Sequence, residues 1–283
     1  MKLVVGTGWY ADAVARKYKT YGSQKIRSND FRELWWESVN RVLSPDAVVV
    51  IDSASPIKPK NIDAPTTHYE NIVLLTNPGH AVESSLHYSG WTASVILSLE
   101  YAYLSGADVF LYVEQDVVLW EQDKGELRKR VKMQLEKCPF VFGSGYGTPQ
   151  VLQQSFFAIH RRGIRQFISG LHSIEANDKT LSPETKFHIA LTKGLINSSL
   201  CTLYSETLFE NLPVIFQKYF RRIQVKFRKI LVKHSCCYNV WDFGYGRSRP
   251  INFDDDIFYF QHGTDEELLI FMKNMWKLSE KDN

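Results

Sequence analysis

Apolar residues along the chain gather mainly in short unbroken runs, not in alternation with polar ones. Runs at 3–5, 47–51, 72–75 and 109–113 predict four strands. The first is stopped by Gly6, the second ends at Asp52, and the third leads into Thr76-Asn77-Pro78-Gly79. An unbroken apolar run marks a strand buried on both faces. Between these strands the spacing turns helical. Ser28, Asn29 and Asp30 offer N-caps to a helix over 31–43, with Leu34, Trp35, Val39 and Val42 on one face. A second helix over 91–104 is closed by Ser105-Gly106. Strands alternating with helices predict an α/β fold with a mostly parallel sheet covered on both faces. Ligands of such sheets bind beyond the carboxyl ends of the strands. Those ends carry Thr7, Asp52, Asn77 and Glu114 to Asp116.

The second half is less regular. A short run at 140–142 enters GSGYGTPQ, where Gly143, Gly145 and Gly147 either let backbone approach a ligand or form a plain turn. A strand is expected at 155–160, and helices at 162–171 and 183–193. The segment 213–233 is basic and helical in spacing, WDFGYGRSRPINFDDD is loop-like, IFYFQHG is a last strand, and 265–277 is a last helix. Neither a repeat nor a low-complexity linker divides the chain, so one domain over 1–283 is expected.

Composition narrows the function classes. A net charge of +3 over 283 residues does not point to nucleic acid. The cysteines Cys138, Cys201, Cys236 and Cys237 lack CxxC spacing, which argues against a zinc ribbon or a disulfide framework. The N-terminus lacks the pattern of a signal peptide, and the sequence has no unbroken 18-residue apolar run. A cytoplasmic protein is expected. In 217–234, Phe220, Ile223, Phe227, Ile230 and Leu231 share helical spacing among Arg and Lys, with no acid. Such a helix either lies peripherally on an anionic membrane or is an ordinary helix with a solvated face.

Two stretches carry candidate chemistry. Gly6-Thr7-Gly8-Trp9-Tyr10-Ala11 fits GxGxxA, the NAD(P) fingerprint, which also asks for an acid about 20 residues on. The nearest strand-end acid, Asp52, lies far beyond that, and Trp9 and Tyr10 would crowd a pyrophosphate. The other stretch, FLYVEQDVVLW, interrupts an apolar run with Glu114, Gln115 and Asp116. Carboxylates at i and i+2 of a strand end project to one side. Such hard oxygens suit Mn²⁺ or Mg²⁺ carrying phosphate oxygens, and a cation there neutralises a diphosphate leaving group.

With its preceding helix GWTASVILSLEYAYLSGAD, this stretch resembles the glycosyltransferases of the GT-A fold, which carry a short acidic motif, commonly DxD, after an apolar strand. Here the motif begins with Glu, so Asp116 is the first metal ligand. Glu114 either joins it or contacts ribose or a metal-bound water. The resemblance covers most of the chain and rests on order and pattern. In size and layout it extends to small single-domain transferases of large algal viruses that xylosylate capsid glycans.

The resemblance implies a nucleotide-sugar donor, UDP-linked, with UDP-xylose a candidate, and a glycan or other hydroxyl acceptor. Residues 1–120 would hold the donor and 121–283 the acceptor. Thr7, Gly8, Trp9, Tyr10, Asp52, Asn77, Glu114 and Gln115 would line the nucleotide pocket, Trp9 or Tyr10 stacking on the base. His262 would be a further metal ligand. Arg247 and Arg249 would close over diphosphate. Glu184, behind Ser182 at a helix start, is the first candidate for the base that deprotonates the acceptor; its other reading is a helix-dipole partner. Asp255, within Asp254 to Asp256, is a rival base. An NAD(P)-dependent enzyme and a non-catalytic nucleotide- or glycan-binding module are the alternatives. The sugar, acceptor, stereochemistry and oligomeric state are not readable.

Overall fold

The computed structural model describes residues 1–12, 22–62, 66–144, 152–192, 238–245 and 251–282. It is an α/β fold built on a seven-stranded sheet. The first half gives β1 (Leu3–Trp9), a 3-10 turn (Gln24–Arg27), α1 (Asn29–Leu43), β2 (Ala47–Asp52), β3 (His68–Val73), α2 (Gly90–Leu104) and β4 (Val109–Val113). Next come β5 (Val117–Glu121), α3 (Glu126–Lys137), β6 (Phe140–Ser144), β7 (Leu152–His160), α4 (Arg161–His172) and α5 (Pro183–Thr192). The last are β8 (Asn239–Trp241), β9 (Gly244–Tyr245), β10 (Ile257–Gln261) and α6 (Asp265–Asp282).

The large sheet has the order β3-β2-β1-β4-β7-β6-β8. All its strands run one way except β7, which is antiparallel to both β4 and β6. Side chains of β1, β2 and β4 alternate between two apolar layers. One is shared with α1, α3, α6 and the smaller sheet, the other with α2, α4 and α5. β2 is buried at all positions, and each fully buried Val contributes about 1.5–3 kcal/mol. A three-stranded sheet, order β5-β10-β9, packs on the first layer. Among the described residues, no helix is long and apolar enough to cross a membrane.

Three expectations need correction. The first strand does not stop at Gly6 but runs to Trp9. A Cβ at Gly6 would lie 2.6 Å from Ser98 Cβ and 2.7 Å from the Phe110 ring; one at Gly8 would lie 2.8 Å from Ser94 Oγ. These glycines let α2 approach β1, and the dinucleotide reading loses the turn it requires. The third strand lies earlier than expected and ends at Val73, so Asn77 is in the following loop. The apolar run around the acidic residues is two strands: β4 belongs to the large sheet and β5 to the small one. The helix α3 and the strands β8 and β9 were not anticipated.

Candidate functional site

Glu114, Gln115 and Asp116 occupy the turn that carries the chain from one sheet to the other. The turn is closed by the Val117 N–H donating to the Glu114 carbonyl at 3.0 Å. Trp35 Nε1 of α1 donates to the same carbonyl at 3.1 Å, and the Glu114 N–H donates to the Ser155 carbonyl at 2.9 Å. The carboxylates are therefore at a junction of sheets, held by backbone, and not in the middle of a strand.

Gln115 joins this turn to the end of β1. Its Oε1 accepts from the Tyr10 N–H at 2.8 Å and its Nε2 donates to the Tyr10 carbonyl at 3.2 Å. The backbone ladder between β1 and β4 ends at Gly6 opposite Tyr112. The amide of Gln115 thus ties the strands together beyond that point.

β10 brings two more side chains. It is antiparallel to β5 with Gln261 opposite Val117. Gln261 Nε2 donates to Glu114 Oε2 at 2.8 Å and to Asp116 Oδ1 at 3.2 Å, while Ser155 Oγ donates to Gln261 Oε1 at 2.6 Å. His262 follows with φ 61°, a left-handed backbone uncommon outside glycine, and its Nδ1 lies 3.1 Å from Asp116 Oδ2. The backbone of residues 22–23 closes over this corner. The Ser23 N–H donates to the Gly263 carbonyl at 2.7 Å, and a Cβ on Gly22 would meet the His262 carbonyl carbon at 2.6 Å. Arg27 Nη2 stands 4.0 Å from Asp116 Oδ2.

Asp116 is buried. Burial alone would push its carboxyl up; His262, the Arg27 guanidinium and the Gln261 amide outweigh burial and hold it below the ordinary aspartate value. The group is thus ionised at neutral pH, the state that a cation or a guanidinium requires. Among the described residues, no three His, Cys, Asp or Glu side chains surround one point as a finished metal cluster. Glu114 Oε2 and Asp116 Oδ1 do converge on one atom, Gln261 Nε2. His262 and Arg27 lie on the other oxygen, Asp116 Oδ2. Two converging carboxylate oxygens match Mg²⁺ or Mn²⁺, which takes one or two carboxylates and completes its shell with water and phosphate.

Other candidate residues lie at varying distance from this turn. Thr7 is buried within β1. Trp9 is 2% exposed, its indole N–H donates to the Ile57 carbonyl at 2.8 Å, and Arg32 lies over the ring at 5.1 Å. Tyr10 is half-buried. Asp52 is fully buried; Oδ1 accepts from the Ser55 N–H at 2.7 Å and Oδ2 is 3.2 Å from Lys58 Nζ. Asn77 is exposed and accepts from the Gly79 N–H at 2.9 Å.

No family model matches the chain, and no curated protein matches its sequence.

Glu184 is half-buried in the first turn of α5, where the Ser182 carbonyl accepts the Lys186 N–H at 2.9 Å. Asp178 and Lys186 fix the start of this helix. Their side chains are fully buried and pair at 2.7 Å. Asp178 Oδ2 also accepts from the Ser89 N–H, Ser89 Oγ and Thr92 Oγ1 at 2.7, 2.7 and 2.6 Å, and Lys186 Nζ donates to the His87 carbonyl at 3.2 Å. Residues 87–92 are the entry to α2, where a Cβ on Gly90 would meet Ser53 Oγ, just past the end of β2. The network therefore ties the start of α5, the helix that carries Glu184, to the entry of α2 beside the end of β2.

Asp255 is placed elsewhere. It precedes Ile257, which pairs with Glu121, whereas Gln261 pairs with Val117. The five residues of β10, at about 3.3 Å each, separate it from His262. Asp255 Oδ2 accepts from the Tyr245 hydroxyl. The structure does not bring it to the acidic turn. Arg247, Arg249, the glycine stretch from Gly145 and the basic segment 217–234 lie outside the described residues.

Arg27 and Gln261 were missed by the sequence reading. No local pattern marks Arg27. Gln261 was within reach, since it immediately precedes His262 in a run already assigned to a strand.

Proposed function

We propose that this protein is a glycosyltransferase of the GT-A type that moves a sugar from a UDP-linked donor to a glycan or other hydroxyl acceptor. The observation that carries the reading is the acidic turn: two carboxylates, converging from a turn at the carboxyl edge of a mostly parallel sheet, one of them kept ionised. The fold class agrees with what the resemblance implies.

The residues divide the work as follows. Glu114 Oε2 and Asp116 Oδ1 would hold Mn²⁺ or Mg²⁺. That cation, when bound, neutralises charge on the diphosphate leaving group. His262 and Arg27 keep Asp116 ionised and oriented, and Arg27 adds positive charge on the same side. Gln115 fixes Tyr10, which stacks on the base. Glu184 accepts the proton of the acceptor hydroxyl as the new glycosidic bond forms. The start of α5 is suited to this because its orientation is set by the buried Asp178–Lys186 pair.

Incubation with a panel of UDP-sugars tests the reading. A transferase slowly hydrolyses its donor in the absence of acceptor, whereas a binding module does not. Release of UDP from at least one donor by the natural sequence, lost in Asp116→Ala with unfolding still cooperative, is the expected result. Donor hydrolysis that is unchanged in Asp116→Ala would remove the acidic turn from the mechanism.

A further inference from the structure

Gln261 has an unusual set of partners. Both carboxylates donate nothing when ionised and only accept, so the amide nitrogen must face them and the amide oxygen must face Ser155. This is the orientation described above, with Nε2 between Glu114 Oε2 and Asp116 Oδ1 and Oε1 bonded to Ser155 Oγ. The Nε2 position is where two carboxylate oxygens converge. Asp116 Oδ2, by contrast, is occupied by His262 at 3.1 Å and faces Arg27 at 4.0 Å. A cation entering this turn meets Gln261 first and His262 only across Asp116.

A serine hydroxyl both donates and accepts. A half-turn of the Gln261 amide about its last side-chain bond exchanges oxygen and nitrogen. Nε2 then donates to Ser155 Oγ, and Oε1 faces the two carboxylates. Without a cation that orientation sets three oxygens against one another. With a hard divalent cation between them it supplies a third oxygen ligand, and amide oxygens are ordinary ligands for such ions. The bond to Ser155 survives either way, with its direction reversed.

The geometry points to Gln261 as a two-state ligand: its amide N–H groups stand in for the cation in the free site, and its amide oxygen coordinates the cation after the flip. His262 then acts through Asp116, as an outer partner that orients a ligand. This inference rests on the divalent cation of the proposed function.

The test is Mn²⁺ alone, titrated into the purified full chain and followed by the electron paramagnetic resonance of the unbound ion. The variants are Gln261→Leu, Gln261→Glu, Ser155→Ala and Asp116→Ala, each checked for cooperative unfolding. Gln261→Leu is expected to weaken Mn²⁺ binding at least about tenfold, and Ser155→Ala to weaken it less. Gln261→Glu, which keeps an oxygen and cannot donate, is expected to bind at least as tightly as the natural sequence. It does not depend on Gln261→Leu folding. Binding by Gln261→Leu that equals or exceeds that of the natural sequence would show that the amide only obstructs the cation, and would overturn the inference alone. No Mn²⁺ uptake by the natural sequence would overturn the cation together with it.

Discussion

Replacing Asp178 by Ala probes how α5, the helix that carries Glu184, is held. In the native chain both Asp178 and Lys186 are fully buried, and the aspartate satisfies two donors on Ser89, one on Thr92 and the ammonium of Lys186. Ser89 is the N-cap residue of α2 but makes no side-chain cap bond of its own. The variant therefore breaks a buried ion pair, at a cost of about 3–5 kcal/mol, and takes their acceptor from the Ser89 N–H and the Ser89 and Thr92 hydroxyls. That cost, about 3–5 kcal/mol, is a large part of the stability of an ordinary domain. Equilibrium urea unfolding followed by tryptophan fluorescence reads it. Pairing Asp178→Asn with Lys186→Met removes both charges and should cost less than Asp178→Ala alone. The same pair has a pH signature. Burial holds the Lys186 ammonium below its ordinary value, with Asp178 opposing the shift. The native state thus sheds this proton before the unfolded chain does. Protonated, the buried group costs stability; that cost is relieved as pH rises towards the ordinary lysine value of 10.5. The natural sequence should accordingly gain stability relative to Lys186→Met as pH rises towards that value. Asp178→Ala within about 0.5 kcal/mol of the natural sequence, the usual spread of surface substitutions, would refute the reasoning.

Two further outcomes follow from the fold and the site. Gly6→Ala should destabilise by about 1–3 kcal/mol, because its Cβ would meet Ser98 and Phe110 within van der Waals limits and both are buried; a chemical denaturation midpoint unchanged from the natural sequence would contradict the close approach of α2. Glu184→Gln should lower the rate of sugar transfer by about 10²–10⁴-fold while leaving donor binding intact, and full transfer activity by this variant would pass the role of base to another residue.

What the sequence revealed depended on whether the deciding contact was local. The helices 31–43 and 91–104 were legible because caps and apolar spacing lie within the segment, and both were found within two residues of their ends. The carboxylates of Glu114 and Asp116 stood out because charge inside an apolar run is costly. Their actual setting, a passage between sheets, depends on the pairing of β5 with β10, which no local pattern announces. Gly6 and Gly8 misled because a glycine after an apolar run suggests a turn. Here the reason for glycine is the packing of Ser94 and Ser98, which are remote in sequence. The missed helix α3 was partly legible: Leu127, Val131 and Leu135 recur every four residues within a charged stretch and are its buried side. Asn77 was placed at a strand end because the run at 72–75 was read as the strand. The observed β3 is an edge strand of mainly half-buried residues, so its pattern is weak.

The most direct measurement is the thermal midpoint of the full chain titrated with UDP, with and without Mn²⁺, beside NADH. A ligand at a hundred times its dissociation constant stabilises the native state by about 2.7 kcal/mol, readily seen as a raised midpoint. A shift with UDP that requires Mn²⁺ and disappears in Asp116→Ala is the predicted result. A shift with NADH and none with UDP and Mn²⁺ would contradict the account at its centre.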